Sequence, residues 1–268
     1  MKKIRIGNQT SFSASDVMEP FEYAVKNRFD AFEWFPDKHN IDEGWDVDDI
    51  DIKTRSHIRT IADTHDIALS VHASLQAEMC DPDKIDIMLK NMDFAAEIGA
   101  TLINTHLCIE KGLAYYVDAI TPVVREAEKA GLRIAIENTV FTIPKDFNRL
   151  FEIIRHRKIV SSEKFGMCLD LGHANLSSFS RNNFLKFLDL LDSDIPIIHI
   201  HMHENYGDSD SHLPLFTGPA SENVSGITGF INRMNVRDFS GSIIFEQWPE
   251  PPVLLIEARD RLYNMWLE

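Results

Sequence analysis

Short segments of alternating apolar and polar residues, each followed by a longer segment with apolar positions three and four apart, recur along the whole chain. Alternation at period two marks a half-buried strand, and the three-and-four spacing marks an amphipathic helix. Strands are therefore predicted over Ile4–Asn8, Ala31–Phe35, Ala68–His72, Leu102–His106, Arg133–Glu137, Gly166–Asp170, Ile197–His203 and Ser242–Glu246. Helices are predicted over Asp16–Asn27, Asp51–His65, Asp83–Ile98 and Leu113–Ala130. Shorter or less regular ones follow over Asp146–Arg155, Asn182–Leu191, Val224–Met234 and Val253–Trp266. Gly99 and Gly131 fall where a helix C-cap precedes the next strand. No linker or composition break divides the chain, so residues 1–268 are read as one domain. Eight strand–helix units in about 250 residues are what an α/β (β/α)8 TIM barrel requires. A doubly wound open sheet would usually carry a Gly-rich first turn, and the first turn here is Asn8-Gln-Thr-Ser-Phe-Ser.

Parity along the later strands sorts the side chains. Ile134 and Ile136 oppose Ala135 and Glu137; Met167 and Leu169 oppose Gly166, Cys168 and Asp170. Ile198, Ile200 and Met202 oppose His199, His201 and His203, and Ile243 and Phe245 oppose Ile244 and Glu246. If the uniformly apolar set meets the helices, then Glu137, Asp170, His201 and Glu246 point into the barrel at its C-terminal mouth, where barrel active sites lie. Singly, a His at a strand end is usually structural, and a carboxylate there is often a helix N-cap. Several carboxylates converging on one mouth would repel unless a cation neutralised them. Imidazole and carboxylate are ligands for Zn²⁺, Mn²⁺ or Co²⁺. His72 and His106 end two earlier strands, His173 follows the sixth strand and Asp210 and His212 follow the seventh, whereas His39, His57, His65 and His156 read as surface residues.

Charge and cysteine content narrow the class further. The 42 Asp+Glu against 27 Lys+Arg give a net charge of −15, which argues against nucleic acid or an anionic membrane as partner. Hydrophobic residues at 44% suffice for a large core. The cysteines Cys80, Cys108 and Cys168 show no CxxC pairing, and Cys168, within an apolar strand, reads as a reduced buried thiol. With no secretory h-region at the start and no apolar run of spanning length, a cytoplasmic protein is the expectation.

The motifs Ala-Ile-Glu137-Asn, Leu-Asp170-Leu-Gly-His173-Ala-Asn, His201-Met-His203-Glu-Asn and Asp210-Ser-His212-Leu-Pro-Leu resemble those of the xylose isomerase-like barrels, over essentially the whole chain. That superfamily includes sugar epimerases, ketose and hydroxypyruvate isomerases, inosose dehydratases and endonuclease IV. The resemblance implies one divalent metal on Glu137, Asp170, His201 and Glu246. Similarity to endonuclease IV extends this to three ions. His72, His106 and Glu137 would hold the first, Glu137, Asp170, His201 and Glu246 the second, and His173, Asp210 and His212 the third. Two departures stand out. Leu-Pro-Leu-Phe-Thr-Gly follows His212 where relatives commonly have Leu-Pro-Leu-Gly-Glu-Gly, and Glu204 stands where Asp is frequent.

The resemblance implies a metal-dependent isomerase or epimerase of a small sugar, polyol-derived ketone or hydroxy-keto acid, working through a metal-stabilised enediolate. Glu137 and Glu246 would exchange the proton, while Glu33, His72, His106, His173 and Trp248 (or Trp34) would grip the carbohydrate-like substrate. A dehydratase would begin with the same proton abstraction. The alternative is an endonuclease IV-like phosphodiesterase acting on DNA. The acidic loop from Pro36 to Asp49 opposes it, since the other mouth loops offer only Lys111, Lys145 and Arg181 as scattered cations. A non-catalytic ligand-binding barrel is a third reading, weakened by the intact carboxylate pair. Oligomeric state is left open.

Overall fold

The alternation resolves into eight parallel strands that close on themselves in sequence order. The computed structural model describes residues 4–11, 13–38, 44–161 and 163–267; residues 39–43 of the acidic second loop, His39 among them, lie outside these. The strands are β1 (Arg5–Gln9), β2 (Ala31–Trp34), β3 (Ala68–His72), β4 (Leu102–His106), β5 (Arg133–Glu137), β6 (Phe165–Asp170), β7 (Ile197–Met202) and β8 (Ser242–Phe245). Hydrogen bonding of β8 to β1 completes the ring, with Asn8 beside Phe245. This is a single-domain (β/α)8 TIM barrel.

Helices cover the outside. They are α1 (Glu19–Lys26), α2 (Ile52–His65), α3 (Ile85–Ile98), α4 (Leu113–Ala130), α5 (Pro144–Arg157), α6 (Leu171–Leu176), α7 (Phe184–Asp189), α8 (Pro219–Glu222), α9 (Ser225–Val236) and α10 (Val253–Leu267). Asp51 caps α2 by accepting from Thr54 N at 2.8 Å, and Gly99 and Gly131 end α3 and α4 at φ +81° and +77°. The short helices α6 and α8 were not legible as separate elements, because six and four residues carry too little periodicity. No helix among the described residues is long and apolar enough to cross a membrane.

The main core lies between strands and helices, and it takes the apolar parity set: Phe32, Ile134, Ile136, Met167, Leu169, Ile200, Met202, Ile243 and Phe245. Trp34 belongs here too. Fully buried against Phe21, Phe32, Trp45 and Phe94, it faces the helix layer and cannot reach a ligand at the mouth. A smaller cluster of Leu102, Ala135 and Cys168 forms the barrel floor.

Ile198 departs from the expected parity. It packs on that floor cluster instead of on the helices. The register between β6 and β7 jumps from Met167 beside Ile197 to Cys168 beside His199, so Ile198 is the extra residue of a bulge. Gly166 makes room for it, since a Cβ there would lie 2.7 Å from Ile198 Cγ1. His199 and His201 still point inward.

Candidate metal centre

Four strand ends bring the central carboxylates and imidazole together. Glu137 ends β5, Asp170 ends β6, His201 lies near the end of β7 and Glu246 directly follows β8. Each offers one ligand atom within 4.8 Å of the other three. Their side chains are 0–6% exposed. At that spacing each ionised carboxylate pair costs about 3 kcal/mol at an effective dielectric of 20, so the cluster needs positive charge. Without an ion the histidines supply it. Burial works against ionisation of Glu137 and Glu246, yet His201 beside them holds both well below the usual carboxylate range. Asp170 goes the other way: burial raises it beyond what His173 and His203 pull back.

Hydrogen bonds do not account for this arrangement. His201 Nδ1 lies 2.9 Å from Glu246 Oε1 and 3.2 Å from Glu137 Oε2, but its N–H direction misses both oxygens. Glu137 Oε1, Asp170 Oδ2 and Glu246 Oε2 are likewise buried and without partners. Buried polar atoms are ordinarily paired, and those that are not mark a site for something else. N···O separations near 3.3 Å are also about what two neighbouring ligands of one tetrahedral ion show, with metal–ligand bonds of about 2.0–2.1 Å. The residues present therefore fit a divalent metal.

The surroundings fix these side chains. Asn104 donates to Glu137 Oε2. Asn138 clamps the end of β6 through both amide atoms, donating to Asp170 O and accepting from Asp170 N at 2.9 Å each. Asp170 also caps α6, accepting from His173 N at 2.7 Å, which swings the His173 ring back toward the mouth. Glu33 lies beneath, fully buried, 2.8 Å from His199 Nε2 and 2.7 Å from His201 Nε2, and accepts from Ser70 Oγ. It was expected to grip substrate hydroxyls. Its oxygens instead face two histidines and a serine deep in the barrel, behind the ligand cluster. Trp248 is partly buried and stacks edge-on against Tyr23, centroids 5.3 Å apart.

The remaining candidates form an outer arc. His72 Nε2 is 3.2 Å from Glu137 Oε2 and His106 Nε2 is 3.4 Å from Glu137 Oε1, so each approaches Glu137, but the group of mutually close ligand atoms there is His72, Glu137 and His201. His173 Nε2 and His212 Nε2 both approach Asp210 Oδ2, at 3.2 and 3.3 Å. In both outer groups of mutually close ligand atoms, however, the shared member is His203: Asp170–His173–His203 and His203–Asp210–His212. Its inward parity was readable in the sequence; its place among ligands was not. His57, His65 and His156 are exposed, as expected. Glu204 holds the loop after β7 by accepting from Phe216 N and from Ala220 N at 2.8 Å. That loop thus has an acid at its base despite lacking one in its Leu-Phe-Thr-Gly segment.

The sequence model of the family described as "Xylose isomerase-like TIM barrel" matches residues 21–265. The chain belongs to that family. Among solved structures, this xylose isomerase-like barrel is similar to a D-tagatose 3-epimerase-like protein, at 18% identity and TM-score 0.73 over 98% of each chain. It is also similar to a D-allulose 3-epimerase from Methylomonas sp. in complex with D-allulose, at 16% identity and TM-score 0.68, covering 99% of this chain and 98% of that one. At such identities the likeness is one of fold. Two uncharacterized proteins of Methanocaldococcus jannaschii match parts of the barrel. One is 33% identical over 105 residues (37% of this chain, 33% of the relative). The other is 26% identical over 181 residues (61% of this chain, 66% of the relative). The matched stretches thus span a third and just under two thirds of those relatives.

Proposed function

We propose that this protein is a divalent-metal-dependent isomerase or epimerase of a small sugar, polyol-derived ketone or hydroxy-keto acid. The observation that carries the reading is the convergence of Glu137, Asp170, His201 and Glu246 at the mouth, with carboxylate oxygens and imidazole nitrogen unpaired. The family's sugar-epimerase relatives by fold support the substrate class. Zinc, manganese or cobalt would be held by those four residues. When bound, the ion supplies positive charge beside a substrate carbonyl and its adjacent hydroxyl, which acidifies the C–H between them.

The chain's own residues do the rest. Glu137 and Glu246 arrive from β5 and from the end of β8, with β6 and β7 between them, so they approach a central substrate from different sides. One takes the proton from carbon and the other returns it, to the opposite face in an epimerase or to the neighbouring carbon in an isomerase. Both are kept ionised by His201, as a base requires. Asn104 fixes the Glu137 carboxylate. His106, with a side chain 32% exposed, and the buried His72 offer N–H donors to substrate hydroxyls, whereas both nitrogens of His173 are already engaged, with Asn138 O and Asp210. Glu33 acts through His201 and positions it.

Incubation with ketoses, keto-inositols and hydroxypyruvate in deuterated water tests the reading. Deuterium should enter at a carbon next to the carbonyl, and Glu137→Gln or Glu246→Gln should abolish the exchange in metal-loaded protein. No exchange on any member by fully loaded enzyme would sink it. One observation favours a second reading, a metal-dependent phosphodiesterase: the outer arc carries more ligands than one ion needs. Against it, Lys111 is engaged with Cys80 O at 2.9 Å and so is not free to hold a phosphate. Metal-dependent nicking of duplex DNA bearing abasic sites, without exchange on the sugar panel, would promote it.

A further inference from the structure

Outside the four core residues, His203 is a second buried imidazole at the mouth that, like His201, has no hydrogen-bond partner. Its ring is fully buried, and neither nitrogen has a hydrogen-bond partner. Nε2 nevertheless lies among three carboxylates: 3.4 Å from Asp170 Oδ1, 3.5 Å from Glu246 Oε2 and 3.6 Å from Asp210 Oδ1. Those separations are long for N–H···O bonds, yet close to the roughly 3.4 Å edge between neighbouring ligands of a tetrahedral ion. The ring lies flat on His212, centroids 4.0 Å apart and planes 2° from parallel. Gly172 permits this placement, because a Cβ there would fall 2.0 Å from the His203 ring. His212 itself sits at φ +44°, a left-handed conformation that a non-glycine residue holds only when its surroundings impose it.

His173 is the contrast. Its Nδ1 donates to Asn138 O at 2.9 Å and its Nε2 pairs with Asp210 Oδ2 at 3.2 Å, so both nitrogens are occupied. Of the two histidines able to complete an outer site with Asp210 and His212, His203 has the free nitrogens. It is also the one whose ligand atom lies within 4.8 Å of both partners as a set.

We propose that His203 is a metal ligand, closing with Asp210 and His212 a second divalent-cation site beside the core site. Two imidazoles and one carboxylate suit zinc or cobalt better than magnesium or calcium, which prefer all-oxygen shells. Nε2 lies beside Asp170 and Glu246 of the core group, so filling the outer site places a second positive charge next to the core carboxylates. This rests on the metal reading of the core but not on the isomerase chemistry.

Cobalt titration of chelator-stripped protein, followed by elemental analysis after gel filtration and by the visible Co²⁺ absorption band, tests it. Wild type should take up at least two equivalents, the weaker one adding its own absorption. His203→Gln and His212→Gln should each lose one equivalent while core uptake stays within about threefold. Anomalous scattering from cobalt-loaded wild-type crystals should show a peak bonded to His203 Nε2, a readout that needs no variant to fold. Retention of every equivalent by His203→Gln would overturn the proposal. So would a wild type that binds one ion on Glu137, Asp170, His201 and Glu246 alone, and the functional reading would then stand. A wild type binding none would overturn both.

Discussion

Glu33 Oε1 reaches across the barrel interior from β2 to lie 2.7 Å from His201 Nε2 on β7. The contact leaves Nδ1 of the same ring facing Glu137 and Glu246. A carboxylate this close behind a ligating histidine favours positive charge on the ring and makes the opposite nitrogen more basic, here through charge alone, since Oε1 and Nε2 lack hydrogen-bond geometry. Burial would raise Glu33, but His201 and His199 outweigh it and hold the carboxyl well below the usual range. It therefore stays ionised at any working pH. Glu33→Gln should lower core-metal affinity by about 10–100-fold, measured by competition with a chromophoric chelator. Unchanged affinity would remove Glu33 from that role.

Asp170 shows the cost of assembling the site. Its folded pKa is raised by burial, so its ionised form loses stability as pH rises through that pKa. Asn at this position keeps an acceptor for the His173 N–H that Asp170 now caps, but removes the charge. Metal-free Asp170→Asn should therefore melt no lower than metal-free wild type at pH 7–8. Added zinc should raise the wild-type melting temperature and leave the variant's unchanged. A variant several degrees less stable without metal would show that the carboxylate is structural.

Most of this architecture is legible because the helix-facing positions of the strands are uniformly apolar while the equally buried barrel-facing positions mix small, polar and charged residues, which leaves a period-two signal. β3, β4 and β5 fall at their expected ends, and so does α4. Parity placed Glu137, Asp170, His201 and Glu246 together without any contact information. What it could not show was the bulge at Ile198, since one inserted apolar residue in an apolar run leaves no trace in the pattern. Glu33 was misplaced for a different reason. Parity gives the face but not the depth, and Ser70 and His199, which draw Glu33 downward, do not announce themselves in sequence. His203 was passed over because its ligand character depends on Asp210 and His212, which arrive from a loop.

Metal uptake should release protons. Burial opposes charge on His201 and His173, but the surrounding carboxylates outweigh it and hold both well above the usual imidazole range. His212, only partly buried and paired with Asp210, is raised to about 9. A coordinating imidazole must give up the proton on its ligating nitrogen. Zinc affinity should consequently keep rising with pH through and beyond the usual imidazole range. Calorimetry in buffers of different ionisation enthalpy should report net proton release at pH 7.5, and zero release would contradict protonated histidines in the metal-free site.

His106 separates the two chemistries most cheaply. Its Nε2 is 3.4 Å from Glu137 Oε1, yet its side chain is 32% exposed, the most open of the histidines around Glu137. As a donor to a substrate hydroxyl, it contributes roughly 0.5–1.5 kcal/mol, so His106→Asn should raise KM about 2–10-fold. Total metal content and the pH dependence of turnover should stay unchanged, because Glu137 and Glu246 still carry the proton. As a ligand in a multi-ion phosphodiesterase it would behave differently: the same variant would lose one equivalent of metal, and turnover would fall with it. Measuring KM, kcat and metal content on one preparation distinguishes these outcomes. A loss of metal with KM unchanged would move His106 from the substrate's side of the site to the ion's.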